Sequence, residues 1–253
     1  MTTVSAVIMT RNTESTVRRC LDSIRDVVDE IIIVDGHSSD NTVKICREYT
    51  DLIYSRKPKG FADPDRNYAL SKASGDWVLY VDADEWLSRN LRKSLRGLLA
   101  KDDADAFSFS RVNYFLSRPL LHGLAYPDKQ TRLYRREKTR YAGMVHEQPT
   151  ISGRVVDTSL DILHKQEDSN ALFSDRYVRY GIIYARQHPL ETKRWHCLMR
   201  AVKDSARIVI FYYFRKRGYL DGFSGLLWHL RLAIEHFLRG FCMTLFSESQ
   251  RKT

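Results

Sequence analysis

The stretch GDWVLYVDADEWL (Gly75–Leu87) sets five apolar residues, Trp77–Val81, directly before three carboxylates, Asp82, Asp84 and Glu85. A run this short and this apolar suits a strand covered on both faces of a parallel sheet. Three acids within four positions repel one another and are costly without a cation. Two carboxylates with open positions suit Mg2+ or Mn2+ held jointly with a substrate's phosphates. Asp82 and Asp84 are two apart and project to one side if the extended conformation persists. The competing reading is an acidic helix start: Leu87–Leu99 is amphipathic, Ser88 can cap it, and carboxylates are favoured at helix N-termini.

Upstream, short apolar runs alternate with helical spacing. Val4–Met9 reads as a strand, and Glu14–Arg25 carries Val17, Leu21 and Ile24 at helical intervals. Ile31–Val34 is four β-branched residues in a row, and Asp35–Asp40 is a turn cluster that can cap a helix over Thr42–Tyr49. Leu52–Tyr54 is a third short strand, Pro58–Asp65 a loop, and Arg66–Ala73 a helix. This alternation predicts crossover units and a mostly parallel α/β sheet. Ligands of such sheets sit beyond the carboxyl ends of the strands. Thr10, Arg11 and Asn12, then Asp35, then Asp82–Glu85 occupy those ends. Asp35 suits a hydrogen bond to a nucleotide's base or ribose, or equally an Asx-turn. No G-x-G-x-x-G follows the first strand and no G-x-x-x-x-G-K-S/T occurs, which argues against dinucleotide and P-loop sites.

The chain has 253 residues, 43% hydrophobic and 28% charged, an ordinary composition for one large folded domain with an appendage. Its four cysteines lack metal-ligand spacing and fit a reducing compartment. No apolar run approaches a membrane span, and Met1–Ser5 leads straight into a strand with no secretory signal, which points to a cytoplasmic protein. The net charge of +10 is unevenly placed: residues 172–253 hold 15 Lys/Arg against 6 Asp/Glu, a surplus of +9. The basic third therefore needs an anionic partner or surface.

The segments VSAVIMTRN, DEIIIVDGHSSDNT, DRNYAL and GDWVLYVDADEWL resemble the motif series of family 2 glycosyltransferases. The resemblance continues through YPDKQTRLYRR (Tyr126–Arg136), YAGMVHEQP (Tyr141–Pro149) and RGYLDGFSGLLWHL (Arg217–Leu230), and covers nearly the whole chain. The full series is most similar to bacterial lipopolysaccharide-core β-1,4-glucosyltransferases. It implies a GT-A fold, a UDP-sugar donor (UDP-glucose by closest resemblance) and Mg2+ or Mn2+ as cofactor. By the same resemblance Thr10, Arg11, Asn12, Ser38 and Ala83 line the donor pocket, Asp35 contacts uracil, and Arg66 lies near the base or diphosphate. Asp82 approaches the ribose or a metal-bound water, and Asp84 is the principal metal ligand. The loop Asp63-Pro64-Asp65 departs from the family, which often has Gly near position 64 or 65.

Transfer with inversion breaks a bond to a diphosphate and needs a group to take the acceptor hydroxyl's proton. Asp128, His146 and Glu147 are the candidates. The resemblance favours Glu147 as general base, with Asp128 next and His146 as an additional metal ligand or phosphate contact. The basic stretch Arg132–Arg140 reads as a solvated strand and turn, or as contact with a phosphorylated acceptor.

Three regions are expected: residues 1–110 for the nucleotide sugar, 111–170 for the acceptor, and 171–253 as a basic, helical, membrane-associating end. Phe173–Gln187 has helical spacing, Trp195–Phe214 mixes Arg and Lys with the seven-residue apolar run Ile208–Phe214, and Phe223–Phe246 reads as a long helix. On that helix Leu226, Leu227, Leu230, Ala233, Ile234, Phe237, Leu238, Phe241 and Leu245 share a wide face, with Arg231, Glu235, His236 and Arg239 opposite. Such a face with flanking cations fits a helix lying in a membrane interface, or one packed on protein. The combined expectation is an enzyme peripheral on the cytoplasmic face of the inner membrane, acting on a lipid-linked or lipopolysaccharide-core glycan at an anionic surface. Competing readings are a nucleic-acid binder suggested by pI ≈ 9.5, a non-catalytic scaffold on a transferase-like fold, and a nucleotidyltransferase. No groove-reading motif appears, so no nucleic-acid partner is expected.

Overall fold

Strand β4 (Trp77–Asp82) alternates its side chains between two apolar layers. Trp77, Leu79 and Val81 join one buried cluster, and Val78 and Tyr80 join the other. Strands β1 (Val4–Thr10) and β2 (Glu30–Asp35) do the same, which is why all three read as continuous apolar runs. Helices α1 (Val17–Ile24) and α4 (Arg89–Leu99) cover the first layer, and α3 (Arg66–Lys72) covers the second. On α1 the buried Val17, Cys20, Leu21 and Ile24 have the spacing of one helical face. Ser88 caps α4, its Oγ accepting from the Leu91 backbone N–H at 3.2 Å.

The computed structural model describes residues 2–57, 65–100, 103–142, 148–165, 175–187 and 194–246. The remaining elements are α2 (Thr42–Cys46), β3 (Ile53–Ser55), β5 (Glu85–Leu87), β6 (Ala106–Phe115), β7 (Arg118–Pro119), β8 (Asp128–Arg135), β9 (Thr139–Arg140), β10 (Thr150–Ile151), β11 (Val155–His164), α5 (Asp175–Gln187), α6 (Arg194–Arg207) and α7 (Gly222–Phe246). The main sheet runs β3-β2-β1-β4-β8-β6-β11-β5. β3, β2, β1 and β4 are parallel, as crossover units require. Antiparallel β8 and β6, then β11 paired with β5, complete it.

Two sequence expectations change. The acidic cluster does not open a helix: Ala83 and Asp84 form a turn and Glu85 begins β5, which pairs with β11. The chain turns between them, and Asp82 and Asp84 each meet a different partner. The helix expected over Thr42–Tyr49 ends at Cys46, and Arg47–Tyr49 continue as a turn.

The chain divides into two units, one of residues 1–112 with 128–167 and one of residues 113–127 with 168–253. In the second unit, Leu116 and Ser117 both take positive φ in the two-residue connection between β6 and β7, the conformation a twisted hairpin favours. Phe115, Leu120, Ala125 and Trp228 form its small apolar cluster. Asp221 accepts from the backbone N–H groups of Leu121 and His122 and lies 2.7 Å from His122 Nδ1. His229 donates from Nδ1 to the Gly225 carbonyl and accepts the Leu124 N–H at Nε2, so its ring is neutral; burial lowers its pKa accordingly. α6 passes into a π-helical segment, Ile208–Arg215, and α7 packs against α5 and α6. Ala233 therefore faces protein, and Arg231, expected on the polar face of α7, is buried beside Trp228 with its guanidinium 5.0 Å from the ring.

Candidate functional site

Parallel register brings the polar strand ends together. Thr10 pairs with Asp35 across β1 and β2, and Met9 pairs with Asp82 across β1 and β4. Asp35 is buried and its carboxylate organises the loop that follows β2. It accepts from Thr10 Oγ1 at 3.0 Å, from the Ser38 N–H at 2.9 Å and from Ser38 Oγ at 2.5 Å. Ser38 Oγ in turn accepts the Asn12 N–H, and Asn12 Oδ1 accepts the Ser39 N–H. Asn12 and His37 both take positive φ here, at 52° and 59°. Thr10, Asn12, Asp35 and Ser38 are thus one linked group, and the Asx-type bonds to Ser38 coexist with the burial of Asp35. Arg11 is exposed at its edge.

A second group surrounds the end of β4. Arg132, buried on β8, donates from Nη2 to Asp82 at 2.5 Å and to Glu85 at 2.7 Å. Arg111 on β6 reaches Glu85 at 3.4 Å and grips Asp128 through Nε at 2.8 Å and Nη2 at 2.7 Å. Glu85 is fully buried, and its Oε2 also accepts the Asp82 N–H at 3.2 Å. Burial pulls the Asp82 carboxyl up, but Arg132, Arg66 and Arg111 outweigh it and hold its pKa well below the usual carboxylate range. The Arg66 guanidinium stands 5.1 Å from the Tyr80 ring and 5.4 Å from that of Tyr141. Burial raises the Tyr80 phenol, keeping it neutral.

Asp84 lies apart from this network. Its Oδ2 is 3.4 Å from His164 Nε2, and its backbone carbonyl accepts the Lys165 N–H. His164 ends β11 and pairs with Glu85 in the sheet register, so the β5–β11 pairing sets the imidazole beside the carboxylate. Sequence reading missed His164; the signal was a polar residue ending an alternating strand, a weaker mark than the continuous apolar runs that end in Asp35 and Asp82. Ala83, buried, fills the turn between Asp82 and Asp84. Among the described residues no three His, Cys, Asp or Glu side chains converge as a ready cation site. Asp84 and His164 offer one carboxylate and one imidazole, a donor pair compatible with a divalent ion whose other positions are filled by phosphate and water.

Of the proton acceptors, Asp128 is engaged by Arg111 and by Gln130 Nε2 at 2.7 Å. His146 and Glu147 lie outside the described residues. The basic stretch splits by position. Arg132 turns inward to the acids, whereas Arg136 donates to the Gly75 carbonyl and Lys138 pairs with Asp105. At Arg132, therefore, the reading of a solvated face fails.

The Glycosyl transferase family 2 profile matches residues 5–155. An uncharacterized glycosyltransferase of Rickettsia bellii is 24% identical over 251 residues, covering 93% of this chain and 84% of that protein. One from Rickettsia felis is 28% identical over 151 residues, covering 58% of this chain; the match spans about half of the relative's length, 52%. Among solved structures, Staphylococcus aureus TarS 1–349 in complex with UDP-GlcNAc superposes with a TM-score of 0.50 at 14% identity, over 96% of this chain and 90% of that one. That likeness concerns the fold, and it agrees with the GT-A arrangement of a mixed sheet whose β3-β2-β1-β4 part is parallel, with the acidic turn after β4. With the profile spanning more than half its length, the chain belongs to glycosyl transferase family 2.

Proposed function

We propose that the protein is an inverting glycosyltransferase that moves a hexose, glucose by closest resemblance, from a UDP-sugar to a hydroxyl of a lipid-linked or lipopolysaccharide-core glycan. The observation that carries this reading is the row of Thr10, Asp35 and Asp82 at adjacent strand ends with Asp84 and His164 just beyond. A nucleotide sugar is a ligand with a base, a ribose and a diphosphate in line, and that row offers a partner for each. The UDP-GlcNAc bound by TarS supports the donor class. In this scheme residues 1–110 bind the donor, 111–170 the acceptor, and 171–253 a membrane surface.

Asp35, held by Thr10 and Ser38, keeps acceptor capacity on Oδ2 for a uracil N–H. Asn12 and Arg11 border the same pocket. Asp82, kept ionised by Arg132, receives ribose hydroxyls, and Arg66 on its aromatic support faces the diphosphate. Asp84 and His164 are the residues that would hold Mg2+ or Mn2+, His146 being a further candidate. The ion would neutralise charge on the departing diphosphate. Glu147 takes the acceptor hydroxyl's proton as its oxygen bonds to the anomeric carbon; the bond from that carbon to the β-phosphate oxygen breaks and UDP leaves. Asp128, neutralised by Arg111, is better suited to positioning than to that role. The proposed location is peripheral, on the cytoplasmic face of the inner membrane; no helix among the described residues is long and apolar enough to cross a membrane.

The test is UDP release from a panel of UDP-sugars with Mg2+ or Mn2+, for the wild type and Asp84→Ala. Metal-dependent release from one sugar, abolished in the variant, is expected. No nucleotide binding by calorimetry with metal present would return the scaffold reading.

A further inference from the structure

We propose that α6 and α7 together form a two-helix platform that lies on an anionic lipid surface, a proposal that rests on the membrane-located acceptor described above. On α6, Trp195, Met199 and Val202 stand at i, i+4 and i+7 and are 60%, 49% and 47% exposed. On α7, Leu230, Phe237 and Phe241 form a second row, also exposed, with the Phe237 and Phe241 rings stacked at 6.3 Å. Rows at this spacing occupy one narrow stripe of a helix.

The two stripes share a side. Ser205 Oγ donates to the Ala233 carbonyl, and a Cβ added at Gly240 would run into Ala201, so the helices run antiparallel with those residues at the seam. At 100° per residue, the apolar row lies roughly 110° around from the seam on α6 and roughly 70° on α7, measured in the same sense from each helix's own N-terminus. For antiparallel helices the same sense becomes opposite when both are viewed from one end, which brings the two rows to one face. The wide face legible on α7 alone is thereby divided: Ala233 turns to α6, and what remains joins the apolar row of α6.

Charge selects the occupant. Residues 194–246 carry nine Lys/Arg against three Asp/Glu, and of the nine only Arg231 is buried. Asp221 is consumed by His122 and backbone N–H groups, and Asp204 sits 3.8 Å from Arg200. Lys203 flanks the α6 row, and Arg215, Lys216 and Arg217 are all exposed at the far end of the π-helical segment. Two copies of so basic a surface repel each other, whereas anionic headgroups attract it while long cationic side chains reach up past the buried rows. Apolar stripe, exposed Trp and flanking cations are the features of helices that lie in an interface.

The experiment is sedimentation of the full chain with phosphatidylcholine vesicles, with and without phosphatidylglycerol. Wild type is expected to bind only the anionic vesicles, with a blue shift of tryptophan emission that Trp195→Phe removes. Met199→Glu/Phe237→Glu, at two exposed positions, should weaken binding by at least about tenfold, while hydrolysis of the UDP-sugar in the absence of vesicles is unchanged. Failure of wild type to bind anionic vesicles overturns the proposal, as does full binding by the double variant. A dimeric wild type made monomeric by the double variant would overturn it in favour of a self-interface. Donor hydrolysis reports separately on the transferase reading, so the two can fail independently.

Discussion

Arg132→Met removes the cation that bridges Asp82 and Glu85 and keeps only an apolar stem in its place. Arg132 donates to Asp82 at 2.5 Å and Glu85 at 2.7 Å, and Glu85 is wholly buried. Breaking a buried pair from one side costs about 3–5 kcal/mol because a buried charge is left uncompensated. Arg111, still 3.4 Å from Glu85, offsets part of this, which places the loss near the low end, about 3 kcal/mol. Urea unfolding followed by circular dichroism, with the slope held common, measures it. The sign with pH is set by the depressed Asp82 carboxyl. Its contribution is present above the unfolded carboxyl pKa and is lost as pH falls toward the lower folded value. The variant lacks that contribution, so the gap between wild type and variant should hold from pH 7 to about pH 4 and narrow below it. Glu85→Gln added to the variant should recover part of the loss by removing the uncompensated charge. A loss under about 1 kcal/mol, or a gap that widens in acid, would show that Arg132 does not compensate the buried acids.

Three further outcomes are expected. His164→Ala should weaken Mn2+ binding, read by paramagnetic resonance with UDP present, while leaving metal-free UDP binding intact; unchanged Mn2+ affinity would remove His164 from the metal set. Glu147→Gln should lose turnover by at least about a hundredfold with normal donor binding, and Asp128→Asn should retain more; the reverse ranking in steady-state assays would make Asp128 the base. Gly75→Ala should destabilise by about 1–3 kcal/mol, since its Cβ would fall 2.8 Å from the Ser5 backbone nitrogen and from Ser5 Oγ, and thermal unfolding at wild-type levels would show that β1 can yield there.

Particular residues show which features the sequence exposes. β1, β2 and β4 were legible because strands buried on both faces need only be apolar, and the polar residue that ends each run is visible without knowing its neighbours. Ser88 was legible as a cap because capping is a contact over three residues. The acidic turn left two readings open, since a carboxylate-rich entry to Arg89–Leu99 looks like a helix start, and only the pairing of Glu85–Leu87 with β11 makes it a strand.

The amino-acid order by itself determined the alternating α/β plan, the carboxyl-end candidates and the concentration of positive charge in the last third. Those properties are local or additive, readable within one element or by counting. The tertiary structure alone decided that Asp82 meets Arg132, that Asp84 meets His164, and that Arg231 is buried while Trp195 and Phe237 remain outside. Each of these depends on sheet register or helix packing between segments distant in sequence, and no periodicity within either segment encodes its partner.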